Sequence, residues 1–318
     1  MQNLYLKRVS RGATICALVV NVFCGQLSAY ADSSSPRLAA YYDLYMAICE
    51  DRVYEWRDDD MPQQVATGAL QVGVGKSMRY LLTHKGELAA WEDDPTQANR
   101  IMNDVISFHA GHSGLFVVRE DHSLWHLKTS GTWGFGEDID NDPILITGDV
   151  LTASIGDSAN YYVTTKGRLF VKGRAHRGQY GDGKLSSSSE FVHTASDVIQ
   201  VSSHTGHALI LKKNGEVWGT GGNIYGPLSH HGYGDKAISW GKIFEGASRI
   251  ASGSSHSVAI RNDGSLWSWG RNLGLEPKLI LEKVDAVATS SSSTIALSEG
   301  ALWQWDRGKK PIRVMACE

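Results

Sequence analysis

The stretch AIRNDGSLWSW, Ala259 to Trp269, alternates apolar and polar residues, turns at a glycine and resumes as Leu-Trp-x-Trp. This is the pattern of a strand with one buried face, a tight reversal and a second strand. Near the front of the chain AICEDRVYEW, Ala47 to Trp56, repeats the plan with Asp51 at the turn and Cys49 just before it. With the turn residue as pivot, the pattern occurs at Asp51, Gly86, His122, Gly167, Gly215, Gly264 and Gly300. Two residues after each pivot stands a branched aliphatic: Val53, Leu88, Leu124, Leu169, Val217, Leu266 and Leu302. Three residues after come Tyr54, Trp125, Phe170, Trp218, Trp267 and Trp303, with Ala89 the exception. Five residues after, Trp56, Trp91, Trp269 and Trp305 recur, replaced elsewhere by Leu127, Lys172 and Thr220.

Upstream of each hairpin lies another short strand, as in LQVGVG, VLTASIG and RIASG, and RLAAYYDLYMAI (Arg37 to Ile48) aligns without a gap on RIASGSSHSVAI (Arg249 to Ile260). A fourth strand, such as PILI or PKLILE, completes each unit. Units of this size cannot bury both faces alone, so they stack. The expected fold is all-β: a seven-bladed β-propeller of four-stranded blades in a closed ring, which leaves no end repeat to cap. A β-solenoid is also periodic, but its repeats are shorter. The expected repeats are 37–62, 63–99, 100–143, 144–190, 191–240, 241–277 and 278–318.

HSVAIRNDGSLWSWGRN (His256 to Asn272), HALILKKNGEVWGTGGNIYG (His207 to Gly226) and GRLFVKGRAHRGQYGDG (Gly167 to Gly183) resemble the repeat of the regulator-of-chromosome-condensation family. GQYGDG is similar to that family's Gly-Gln-Leu-Gly-x-Gly segment. The resemblance covers Arg37 to the C-terminus and implies a seven-bladed propeller. The founding member is a nuclear exchange factor for a small GTPase that works through a wedge inserted in one blade. No such insertion and no basic tail are identified here, and the fold by itself hosts many functions.

Bulk properties narrow the classes. The 318 residues are 42% hydrophobic and 20% charged, as in a globular protein, and the net charge of −3 offers no general attraction to nucleic acid or anionic membrane. Lys7, Arg8 and Arg11 precede the apolar ATICALVVNVFCG, and Ala29-Tyr30-Ala31 supplies small residues at the positions a signal peptidase accepts. Residues 1–31 are therefore expected to be a cleaved signal, with 32–318 a single propeller that is secreted or periplasmic. The apolar run is shorter than the roughly 20 residues of a membrane span. Of the four cysteines, Cys16 and Cys24 leave with the signal. Cys49 and Cys317 stay as an even pair in an oxidising compartment. In a closed ring the first and last blades are neighbours, so Cys49 and Cys317 are expected to bond across the seam.

Local motifs do not add up to catalysis. HAGH (His109 to His112), HTGH (His204 to His207) and His230-His231 invite a metal reading, but His207 and His256 share one repeat position and suit a packing or hydrogen-bonding role. Asp138, Asp140 and Asp142 alternate like calcium ligands, yet Pro143 stands where an EF-hand needs its turning glycine. GVGKS, Gly73 to Ser77, lacks the earlier glycine of a phosphate loop and precedes a strand rather than a helix. No cofactor is expected.

Intervals between pivots are 35, 36, 45, 48, 49 and 36 residues, so repeats three to five keep long loops between strands three and four. Equivalent propeller loops emerge on one face. These carry Trp133, Phe135, His176, Tyr180, Tyr225, His230, His231 and Tyr233 among Gly and Ser. Aromatic residues on a hydrogen-bonding background bury much area at small entropic cost. The expected function is a monomeric, non-catalytic, protein-binding module. The alternatives are a polysaccharide-acting propeller enzyme and a secreted effector with guanine-nucleotide exchange activity.

Overall fold

A computed structural model describes residues 37–58, 60–111, 114–128, 142–229 and 234–317. The fold is a seven-bladed β-propeller, each blade an antiparallel sheet of four strands taken in chain order. Blade one holds β1 (Leu38–Tyr41), β2 (Leu44–Cys49), β3 (Arg52–Arg57) and β4 (Gln63–Thr67). Blade two holds β5 (Ala69–Val74), β6 (Arg79–Thr83), β7 (Leu88–Trp91) and β8 (Asn99–Met102), and blade three β9 (Val105–Gly111), β10 (Gly114–Arg119), β11 (Leu124–Leu127) and β12 (Ile144–Thr147). Blade four is β13 (Val150–Ile155), β14 (Ala159–Thr164), β15 (Leu169–Gly173) and β16 (Ser188–Ala195). Blade five is β17 (Val198–Ser203), β18 (His207–Lys212), β19 (Val217–Gly222) and β20 (Lys236–Phe244). Blade six is β21 (Ala247–Ser252), β22 (His256–Arg261), β23 (Leu266–Gly270) and β24 (Gly274–Leu281), and blade seven β25 (Val284–Thr289), β26 (Ser293–Ser298), β27 (Ala301–Asp306) and β28 (Ile312–Ala316).

First strands touch first strands all the way round, β1 to β5, β9, β13, β17, β21, β25 and back to β1, so they form the inner wall of the ring. The apolar clusters lie between sheets rather than at one centre. Each pairs neighbouring blades, such as Tyr161, Val163 and Leu169 of blade four with Val198, Val201 and Ile210 of blade five. The seam has its own: Leu38, Tyr45 and Trp56 against Ile295, Leu297 and Leu302. Because every sheet is covered on both faces, second strands such as β2 and β26 are buried along their whole length. That is why β2 (LYMAIC) reads as an unbroken apolar run, while β26 buries Ser293, Thr294 and Ser298 along with its apolar residues. The aliphatic two residues after each pivot is fully buried, and so are the tryptophans five after, whereas Trp125, Trp218, Trp267 and Trp303 are half-exposed.

Two details differ from the sequence expectation. Fourth strands belong to the preceding blade: β4 (63–67), β12 (144–147) and β20 (236–244) all straddle or pass the expected repeat boundaries, which therefore fall too early. These are outer edge strands with little burial, so the apolar alternation that marks the other three is weak in them. In blade one, the left-handed turn residue is Glu50 (φ 56°) rather than the pivot Asp51, because β2 and β3 are joined by a two-residue turn.

Among the described residues no strand crosses the seam; closure is by packing and side chains. The Cys49 and Cys317 sulfurs are bonded, with Cα atoms 4.9 Å apart. Trp56 Nε1 donates across the seam to Gln304 Oε1 at 2.7 Å, and within blade seven Cys317 N–H donates to the Gly300 carbonyl at 2.7 Å, which holds the cysteine in place. No helix among the described residues is long and apolar enough to cross a membrane, which leaves β-barrel spans unaddressed.

Candidate functional site

Strands alternate in direction, so the turns joining strand one to two and strand three to four share one face. This is the loop face. Its geometry begins at Gly270, which ends β23 with φ +110°; a Cβ there would stand 2.6 Å from the Ser255 carbonyl oxygen. Only glycine lets strand three press so tightly on the strand one to two turn. The next residue, Arg271, then donates its N–H to that carbonyl at 3.0 Å. Gly173 and Gly221 repeat the device, delivering Arg174 N–H to Ser158 O at 2.7 Å and Gly222 N–H to Gly206 O at 2.8 Å. Arg307 N–H reaches Ser292 O at 3.0 Å in blade seven.

The described parts of the long loops of blades four and five are pinned by hydrogen bonds. In blade four the Tyr180 hydroxyl donates towards Gly173 O (3.0 Å) and Ser188 O (3.2 Å) and accepts from Ser188 N–H (2.9 Å). Thr220 Oγ1 of blade five donates to Gly178 O at 2.8 Å, and Tyr161 to Gln179 O at 2.8 Å. In blade five the Pro227 carbonyl accepts from Trp269 Nε1 (2.7 Å) and Ser257 Oγ (2.8 Å), both from blade six. Ser257 Oγ in turn accepts from His207 Nε2 at 3.0 Å.

Placement of the expected residues is mixed. Tyr225 is 44% exposed on this face, and the Arg271 guanidinium lies 4.4 Å from its ring centroid. His176 is exposed. Tyr180 is a correction: at 2% exposure it packs into the core between blades four and five and offers nothing to a partner. It fills the slot that Leu228 fills in blade five. Trp133, Phe135, His230, His231 and Tyr233 lie outside the described residues, as do Asp138 and Asp140. Asp142 is exposed, and no group of three or more His, Cys, Asp or Glu gathers among the described residues.

Buried histidines tie blades together. His256 Nε2 meets Thr294 Oγ1 at 3.1 Å, and His109 Nδ1 accepts from Ile155 N–H at 3.3 Å. Burial lowers His109 to about 4 and His207 and His256 to about 3, so all are neutral. Nearer the face, His204 is held below its usual value by burial, opposed by Asp157, and its Nδ1 lies 2.8 Å from Thr205 Oγ1.

Sequence reasoning missed the arginines. Seven residues after the pivots stand Asp58, Asp93, Arg174, Gly222, Arg271 and Arg307, a charge series that crosses from acid to base around the ring. Strand register aligns them: Leu44 pairs Arg57, His256 pairs Gly270 and Ser293 pairs Asp306, each one residue before the series. Counting two positions further along the repeat than the tryptophans would have found it.

Fold and face together define a class of architecture, a ring of four-stranded blades presenting loops on one side. A regulator of chromosome condensation (RCC1) repeat matches residues 247–273, which are β21 to β23 and the next three residues, Arg271 to Leu273. The chain is 25% identical to mouse E3 ubiquitin-protein ligase HERC2 over 64% of its length, which is 5% of that protein. It is 29% identical to the human X-linked retinitis pigmentosa GTPase regulator over 56% of its length, 18% of that protein. It thus spans less than a fifth of these relatives. Among solved structures, Prp20p of Saccharomyces cerevisiae, studied for its binding to Gsp1p and histones, superposes with a TM-score of 0.69 at 15% identity over 82% of each chain. Yeast RCC1 (Prp20) with Kap60 bound gives 0.67 at 15% identity over 82% of this chain and 80% of that one. The chain thus carries an RCC1-type repeat over 247–273, on a fold similar to that of these propellers.

Proposed function

We propose that the chain is an exported, non-catalytic propeller that binds another protein, as a monomer, through the loop face of blades three to five and its border with blade six. The observation that carries this is Tyr225: an exposed aromatic on a loop fixed at Pro227 by two donors from the next blade, with Arg271 stacked on its ring. A pre-positioned tyrosine beside an arginine is what interface hot spots favour, since little side-chain freedom is lost on binding. His176 extends the surface, and Trp133, Phe135, His230, His231 and Tyr233 are assigned to it from the sequence. Relatives that bind Gsp1p, histones and Kap60 support a protein as the partner class.

A photo-reactive amino acid at position 225 tests this in culture medium and periplasm. A defined protein adduct that is absent when the same residue replaces Lys213, on the opposite face, is the expected result. Adducts equal at both positions, or at neither, would refute it.

A further inference from the structure

The loop face is electrically divided. On blades one and two, exposed Asp58, Asp60, Glu92, Asp93 and Asp94 follow the third strands. On blades four, six and seven the same place holds Arg174 and Arg177, Arg271, and Arg307. Acids on the first side are partly answered, since Asp93 accepts from Arg79 at 2.9 Å and Asp58 from Tyr45 at 2.5 Å. The arginines are not: none of these four makes an ion pair with a described carboxylate.

They are nevertheless held in place. Arg177 lies across blade five, where Gly206 and Gly222 leave room for it; a Cβ on Gly206 would come within 3.1 Å of its Nη1. Arg271 is fixed by Tyr225 on one side and by its N–H bond to Ser255 on the other. Arg307 donates to Ser255 Oγ and, at 3.0 Å, to the Ser291 carbonyl. Arg271 and Arg307 are thus anchored to one serine, and their mutual repulsion adds to burial in pulling Arg307 below the usual guanidinium value. The neighbouring Asp306 opposes that repulsion, but its carboxylate is already engaged by Lys309 and Ser293. Like charges held together in this way favour an anion that bridges them.

We propose that the arc Arg177, Tyr225, Arg271 and Arg307 receives an acidic segment of a protein partner, with carboxylates on the guanidinium groups and an apolar side chain against Tyr225. This rests on the protein-binding function above and names the chemistry of that partner. A nucleic acid fits worse. Its uniform phosphate charge would run onto the acidic crescent of blades one and two, whereas a protein segment can carry acid at one end only.

The probe is a short fluorescein-labelled peptide of Glu and Tyr, titrated against the full chain and followed by polarisation. Its Gln counterpart and an oligothymidylate of equal length are run beside it. The Glu peptide should bind at least about tenfold more tightly than the Gln peptide, and an Arg177→Gln/Arg271→Gln variant should lose about tenfold, as two charge pairs on a fixed scaffold imply. A Lys166→Gln/Lys213→Gln variant removes the same charge from the opposite face and should bind as wild type. Absence of Glu-peptide binding, equal binding by the arginine variant, or tighter binding of oligothymidylate would each overturn the proposal. If the position-225 adduct persists in any of those cases, protein binding stands and only its acidic chemistry falls.

Discussion

Trp56 of the first blade and Gln304 of the last are 248 residues apart in sequence and joined by a 2.7 Å hydrogen bond from Nε1 to Oε1. Both are buried, so the bond is made where water cannot substitute for it. Together with the Cys49–Cys317 bridge it holds a seam that no backbone ladder among the described residues spans.

Removing the bridge with Cys49→Ala/Cys317→Ala should lower stability by about 2–5 kcal/mol, seen as a lower denaturant midpoint with an intact fold. Trp56→Phe should cost about 1–3 kcal/mol more, because Gln304 is left buried and unpaired. A midpoint indifferent to reductant would contradict the role given to the bridge.

Arg79 bridges blades: its side chain is 5% exposed and donates to Glu55 of blade one at 2.8 Å. Arg79→Met alone should cost about 3–5 kcal/mol, since it strands Glu55, and adding Glu55→Leu should recover much of it. Urea denaturation of the four-member mutant cycle measures this; simple additivity of the two changes would show that the pair is not coupled.

The buried histidines make stability depend on pH. In the unfolded chain they titrate at the ordinary 6.5, while burial lowers His109 to about 4 and His207 and His256 to about 3 in the fold. Between those values the unfolded state binds more protons, so stability falls as pH falls below about 6.5, by a ceiling of about 1.4 kcal/mol per histidine per pH unit. Urea midpoints at neutral and mildly acidic pH check the slope, which His207→Gln should flatten.

Tyrosines 180 and 225 should behave oppositely. Tyr180→Phe removes a hydroxyl that serves three backbone groups and should cost about 1–3 kcal/mol. Tyr225→Ala should stay within about 0.5 kcal/mol of wild type in stability, as surface changes do, and weaken partner capture instead. Thermal melts and binding of the Glu-Tyr peptide separate the two effects.

Gly270→Ala should be destabilising by more than about 1 kcal/mol, because alanine resists φ +110° and its methyl would press on the Ser255 carbonyl. It should also displace Arg271 from Tyr225, readable as a change in acidic-peptide binding.

The blades were legible because burial on both sheet faces forces regular apolar positions, and the pivots fell at the turns between second and third strands. Fourth strands were not, since an exposed outer edge imposes little pattern. Tyr180 was misassigned although GQYGDG aligned it with a family leucine; a residue at a core position stays in the core even when it carries a hydroxyl. The arginine arc was invisible as a motif because its members come from three blades, and only strand register puts them side by side.

Each sheet completes its own backbone pairing from consecutive residues, so the number of blades is set by the wedges of side chains between them and not by hydrogen bonding. Each blade can therefore form from one continuous stretch of chain. The covalent link works on another scale: Cys49 of the first blade and Cys317 after the last are bonded, so the cross-link encircles every blade at once.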